Sequence, residues 1–125
     1  MVDEMNPASW FEIPANNLER AVVFYEHVLD LKLTLHDMGP LRMAWFPMHR
    51  GAPGAMGSLV QGQSYEPSHR GSLVYLSVAD IEAALQKVVQ KGGKLLHGKK
   101  SIGPYGFVAH FEDTEGNRVA LHSSQ

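Results

Sequence analysis

At 125 residues, with 11 Lys+Arg against 13 Asp+Glu, the chain is long enough for one domain with its own core. Its charge is too nearly balanced for a nucleic-acid partner, the longest basic run being Lys99-Lys100. The absence of cysteine excludes disulfides, thiolate metal ligation and Cys nucleophiles, and agrees with a reducing cytoplasm.

The acidic N-terminus, Met1-Val2-Asp3-Glu4-Met5-Asn6-Pro7, lacks the apolar stretch of a secretory leader. No later segment approaches the roughly 20 apolar residues of a membrane span. A cytoplasmic protein without membrane partners is expected. The alternating stretch Ser9-Trp10-Phe11-Glu12-Ile13 predicts a strand with one face under a helix, Phe11 and Ile13 being the helix-facing pair. An amphipathic helix follows, with Leu18, Ala21, Val22, Tyr25, Val28 and Leu29 at helical spacing. Asn16 with Glu19 three residues on has the form of a capping box. Three strands are predicted next, over 31–37, 41–46 and 57–61, the first two turning at Met38-Gly39-Pro40. The glycine-rich segment 49–55 has neither the Gly-Lys-Ser/Thr ending nor the following helix of a phosphate loop, and reads as a connection.

After a polar linker over 64–71 the same order returns. A strand over 72–78, with Val74 and Leu76 toward the helix, precedes a helix carrying Ile81, Ala84, Leu85, Val88 and Val89. Asp80 caps this helix and Gly92-Gly93 ends it. Strands over 94–99, 106–112 and 118–123 complete the copy, the last two joined by Asp113-Thr114-Glu115-Gly116-Asn117. Asn17-Leu18-Glu19-Arg20-Ala21-Val22 and Asp80-Ile81-Glu82-Ala83-Ala84-Leu85 match in kind at an offset of 63 residues. The chain therefore reads as βαβββ twice, with units over 8–62 and 72–124 in a single domain spanning 1–125.

This tandem pattern, with Asn17-Leu18-Glu19-Arg20-Ala21-Val22-Val23-Phe24-Tyr25 and Phe111-Glu112-Asp113-Thr114-Glu115-Gly116-Asn117-Arg118, resembles the glyoxalase, bleomycin-resistance and extradiol-dioxygenase (vicinal oxygen chelate) superfamily. Gly103-Pro104-Tyr105-Gly106-Phe107-Val108-Ala109 resembles its large bacterial branch described as related to lactoylglutathione lyase. The resemblance implies an α+β fold in which the units form a half-open eight-stranded barrel around a central cavity, helices outside, in a homodimer. It also implies that a metal, in members that carry one, is held from the first and last strand of each unit. The corresponding positions here are Trp10, Leu73, Ala120 and either Ser58 or Leu59. None offers a carboxylate or imidazole. No metal and no cofactor are expected at those positions.

Strand parity nominates the site. If Glu112 pairs with Arg118, His110 stands opposite Ala120, and Arg118, Ala120 and His122 share the cavity face with Trp10, Glu12, Tyr75 and Ser77. Trp10, Leu73, Tyr75, Ser77, Arg118 and Ala120 are the candidate ligand-binding residues; Glu12, His110 and His122 are the candidates for catalysis. Each also has a plainer reading: the histidines as hydrogen-bonded barrel residues, Trp10 as core filler, Glu12 as the partner of Arg118. His27, His36, His49, His69 and His97 read as surface. Two functions follow. One is a metal-free small-molecule-binding module like the bleomycin-sequestering relatives. The other is an enzyme, a lyase, isomerase or dioxygenase-like protein, using Glu12 with His110 or His122, either metal-free or with a non-standard metal site.

Overall fold

The computed structural model describes residues 5–125; residues 1–4, part of the N-terminus read as lacking a leader, lie outside the described residues. The repeat in the sequence is the architecture. The first unit contains β1 (Trp10–Pro14), α1 (Leu18–Leu29), β2 (Thr34–Met38), β3 (Leu41–Trp45) and β4 (Met56–Gln61). The second contains β5 (Tyr75–Ser77), α2 (Ile81–Gln90), β6 (Lys94–Ser101), β7 (Phe107–Glu112) and β8 (Arg118–Ser123), with a 3₁₀ turn at Gly103–Tyr105 before β7. Each unit builds its own four-stranded sheet, ordered β1-β4-β3-β2 and β5-β8-β7-β6. In each, the first strand runs parallel to the last and the others are antiparallel. Among the described residues no ladder joins the two sheets, so the eight strands form two sheets and no closed barrel. No helix of the described residues is long and apolar enough to cross a membrane.

Several boundaries differ from the sequence expectation, each for a local reason. The cap of α1 is Asn17, whose side chain accepts from the Arg20 backbone N–H at 3.0 Å, and not the Asn16–Glu19 box. Asn16 is occupied elsewhere: its backbone N–H donates to Glu115. The strand predicted from residue 31 starts only at Thr34. Residues 31–33 instead close the helix, the Leu31 N–H bonding the Glu26 carbonyl and the Leu33 N–H the Glu26 carboxylate at 2.9 Å. The strand predicted over 72–78 shrinks to Tyr75–Ser77, which leaves Leu73 outside it. The cap of α2 is Asp80, accepting from the Ala83 N–H at 3.1 Å. Val89, assigned to the apolar stripe of α2, is exposed.

The two units share one core. Leu18, Ala21, Phe24, Tyr25 and Val28 of α1 and Ile81, Ala84, Leu85 and Val88 of α2 are buried in a single cluster with Ile13, Leu59, Leu76, Phe111 and Leu121 from the sheets. Phe111 of the second unit lies 5.9 Å from Phe24 and 6.4 Å from Tyr25 of the first, ring centre to ring centre. Aromatic contact across the repeat boundary holds the halves together as one hydrophobic body.

A polar lock reinforces that contact. Glu115, 7% exposed, accepts from the backbone N–H groups of Asn16 and Asn17 at 2.9 and 2.7 Å and from Arg20 at 2.7 and 3.1 Å. The β7–β8 turn of the second unit thus takes up orphan donors at the start of the first unit's helix. Burial alone would raise the Glu115 carboxyl, but the Arg20 guanidinium, the Asn17 N–H and the Thr114 hydroxyl outweigh it and hold the group below its ordinary value. A depressed carboxylate contributes stability that is full above the ordinary glutamate range and is lost as pH falls through the depressed value. Glu115→Gln should therefore flatten the acid side of the stability–pH curve in chemical denaturation. An acid limb unchanged from wild type would place the sensitivity in another group.

Candidate functional site

The face of each sheet turned away from the helices is set by register. In the first sheet Glu12 pairs with Ser58, which pairs in turn with Trp45, and Trp45 with Thr34, so these four form one row across the strands. The register resolves the choice between Ser58 and Leu59. Ser58 shares the face of Glu12, whereas Leu59 pairs with Ile13 and belongs to the core.

An aromatic patch occupies this face. Trp10 and Trp45 meet edge to face at 5.5 Å and 75°, and His36 stacks on Trp45 at 3.9 Å. His36, read from the sequence as surface, is half-buried because its pairing with Met43 places it on the same face, diagonal to Trp45. The Trp10 indole N–H donates to Glu12 at 3.4 Å. Two polar atoms beside it, Trp45 Nε1 and Ser58 Oγ, are buried and have no hydrogen-bond partner. Glu12 itself is exposed, so the burial penalty expected of an inward carboxylate does not arise. Its negative charge is the largest cause of a Tyr65 hydroxyl raised above its ordinary value.

On the second sheet Tyr75, Ala120, His110 and His97 make the corresponding row, and Glu112 pairs with Arg118. Ala120 is fully buried, and its methyl group is small enough for the Tyr75 and His110 rings to lean together above it, 6.0 Å apart and edge to face. His97, read from the sequence as surface, is exposed and approaches His110 at 5.4 Å. Arg118 does not pair with Glu12. Its Nε and Nη2 reach His110 Nδ1 at 3.2 and 2.7 Å. A guanidinium can only donate, so Nδ1 is the acceptor and the neutral ring carries its proton on Nε2. Burial, then the Arg118 charge, then His97 lower the His110 pKa, and the imidazolium is disfavoured.

His122 turns elsewhere, its Nε2 bonded to the Tyr105 carbonyl at 2.6 Å, which places the proton on that nitrogen. Ser77, paired with His122, lies exposed at the end of its short strand. The candidates thus fall into two groups, Trp10 with Glu12 and Arg118 with His110 and Tyr75, while among the described residues His122, Ser77 and Leu73 make no side-chain hydrogen bond to either. Glu12 and Arg118 line one small pocket of about 90 Å³ where the units meet. Arg118 and His110 line a larger one of about 320 Å³ with His97, Lys100, Ile102 and Val108. Among the described residues no three His, Asp or Glu side chains converge as a metal site.

Comparison with known proteins follows the same outline. The profile of the Glyoxalase/Bleomycin resistance protein/Dioxygenase superfamily matches residues 8–121. A glyoxylase-like domain-containing protein of Didymella fabae is 33% identical over 119 residues, covering 90% of each chain. Among solved structures, a glyoxylase/bleomycin resistance protein/dioxygenase domain from Frankia sp. superposes with a TM-score of 0.73 at 13% identity, covering 98% of this chain and 100% of that one. Glyoxalase I from Zea mays superposes at 0.67 with 21% identity, over 99% of this chain and 48% of its own. The chain spans about half the length of the maize protein. At these identities the two structures share a fold with it.

Proposed function

Since the chain belongs to the glyoxalase/bleomycin resistance protein/dioxygenase superfamily, we propose that it is a member that binds a small molecule on the open faces of its sheets, without a metal. One observation carries this reading: Trp45 Nε1 and Ser58 Oγ, neighbours in register, are buried without partners beside the Trp10–Trp45–His36 patch. An unsatisfied buried polar group costs about 1–3 kcal/mol, and a ligand with an amide or carbonyl that displaced the overlying side chains would relieve it. Flat aromatic walls with a few such polar groups are the usual makings of a small-molecule site.

The donor set argues against the metal of the wider family. The positions that the resemblance assigns to ligands carry Trp10, Ser58, Leu73 and Ala120, one hydroxyl among three side chains without a usable donor, and this does not fit a divalent ion. In the enzyme reading His110 cannot be the proton acceptor, because it offers its free lone pair to Arg118 and keeps its proton on Nε2, and the exposed Glu12 carboxylate would have to serve. The His110 ring acts as a hydrogen-bond donor and is a poor general base.

Both tryptophans of the chain, Trp10 and Trp45, stand in the patch, so intrinsic fluorescence reports on it selectively. Titration with 4-nitrobenzamide, a neutral aromatic quencher with an amide, is expected to give saturable quenching, weakened about tenfold in Trp10→Ala. Elemental analysis after dialysis against zinc, nickel, iron and manganese should return well under one equivalent of each. A tightly held ion would displace this reading in favour of the enzyme.

A further inference from the structure

The second sheet carries a charge that the described residues leave unanswered. Arg20 and Arg42 each meet a carboxylate, Glu115 and Glu19 respectively. Arg118, half-buried on β8, has no acidic partner among the described residues and rests its Nε and Nη2 on a neutral imidazole. Two of the carboxylates around it are engaged otherwise, and Glu66, which lines the small pocket shared by Arg118 and Glu12, makes no ion pair with it. Glu112, its partner in register, takes His69 at 2.8 Å and Lys94 at 3.8 Å, and Glu12 accepts from the Trp10 indole. A guanidinium removed in part from water without an opposite charge is costly to hold.

The groove of about 320 Å³ beside it is lined by Arg118, Lys100, His97 and His110 and by no acidic residue, with Ile102 and Val108 supplying an apolar wall. The N–H groups of Arg118 not committed to His110, the Nε2–H of His110 and the Lys100 ammonium are all donors, and none of them can accept.

From this we infer that the groove receives the oxyanion of a small organic acid, a carboxylate or a phosphate monoester, whose apolar body lies along Ile102 and Val108. Arg118 supplies the planar donor fork that both anions fit. His110 has two tasks: its Nδ1 orients the guanidinium, and its Nε2–H is a further donor at the groove. The inference rests on the proposed small-molecule binding and names the ligand class for it.

The experiment compares 4-nitrobenzoate with its neutral isostere 4-nitrobenzamide by isothermal titration calorimetry and by the shift in thermal midpoint, on the intact chain, because neither tryptophan lines this groove. The benzoate is expected to bind about tenfold or more tighter than the amide, the scale of a charge-assisted hydrogen bond. Arg118→Gln should abolish that preference, bringing the benzoate down to the affinity of the amide. Lys100→Gln, at an exposed position on β6, should reduce the preference in part, and provides the same readout should Arg118→Gln fail to fold. A third probe, 4-nitrophenyl phosphate, decides between the two oxyanions by binding tighter or weaker than the benzoate. Equal affinity of benzoate and amide for the wild type would overturn the anion assignment while leaving small-molecule binding standing. Saturable binding of neither would overturn both.

Discussion

Asp113→Ala is expected to destabilise the fold by about 3 to 5 kcal/mol, read as a lower denaturant midpoint with an unchanged slope. Asp113 is 2% exposed and lies in the turn between β7 and β8. One carboxylate oxygen accepts from the backbone N–H groups of Glu115 and Asn117, both at 2.9 Å. The other accepts from the Tyr25 hydroxyl at 2.6 Å and from the Asn117 amide at 3.0 Å. That amide also donates to the Pro14 carbonyl at 2.7 Å, and the Asn117 side-chain oxygen accepts from the Ser68 N–H. Alanine would strand the fully buried Tyr25 hydroxyl and two backbone donors together, and would unpin the turn from β1, α1 and the linker.

Burial raises the Asp113 carboxyl above its ordinary value, with the Tyr25 and Asn117 hydrogen bonds opposing it. The sign follows from linkage. The fold favours the protonated group, so its contribution is greatest below the ordinary aspartate range and declines as pH rises through the raised value. Asp113→Asn, which keeps an accepting oxygen and removes the buried charge, should accordingly lose much less than Asp113→Ala. Equal losses from the two would locate the stability in the carboxylate charge and not in the hydrogen bonds.

Gly106→Ala should cost about 3 kcal/mol or more, since strain and overlap fall on the same atom. Gly106 has φ 104° and ψ −136°, a conformation that side-chain-bearing residues rarely adopt. An added Cβ would stand at 2.2 Å from the Ser123 carbonyl oxygen and 3.2 Å from His122 Nε2. The backbone oxygen belongs to β8, paired on both sides, and cannot yield as a flexible side chain would. Displacement should reach the loop as well, because the Gly106 carbonyl accepts from the Ile102 N–H at 2.8 Å and Tyr105 holds His122. The check is a thermal or denaturant midpoint together with the His122 ring resonance. A variant within about 1 kcal/mol of wild type would mean that the 103–106 turn can be rebuilt cheaply.

The sequence by itself determined the elements that rest on short periods. Apolar positions 3.6 residues apart wrote both helices, and alternation wrote the strands and their two faces. The offset of 63 residues made the second copy readable from the first. Even the pairing of Glu112 with Arg118 and of His110 with Ala120 was accessible, since a short hairpin loop leaves little choice of register. Tertiary structure alone decided what side chains do at long range. Ser58 was separated from Leu59 only by pairing with β1, more than 40 residues earlier. The stacking of His36 under Trp45 needed the β2–β3 ladder to be in place. Arg118 chose between Glu12 and His110 according to which lay within reach of its guanidinium. The segment 113–117 read as an ordinary polar turn, and its burial as the lock between the units came from contacts up to 103 residues away. Periodicity is a property of neighbours along the chain, whereas partner choice and burial depend on which distant surfaces the closed core brings together.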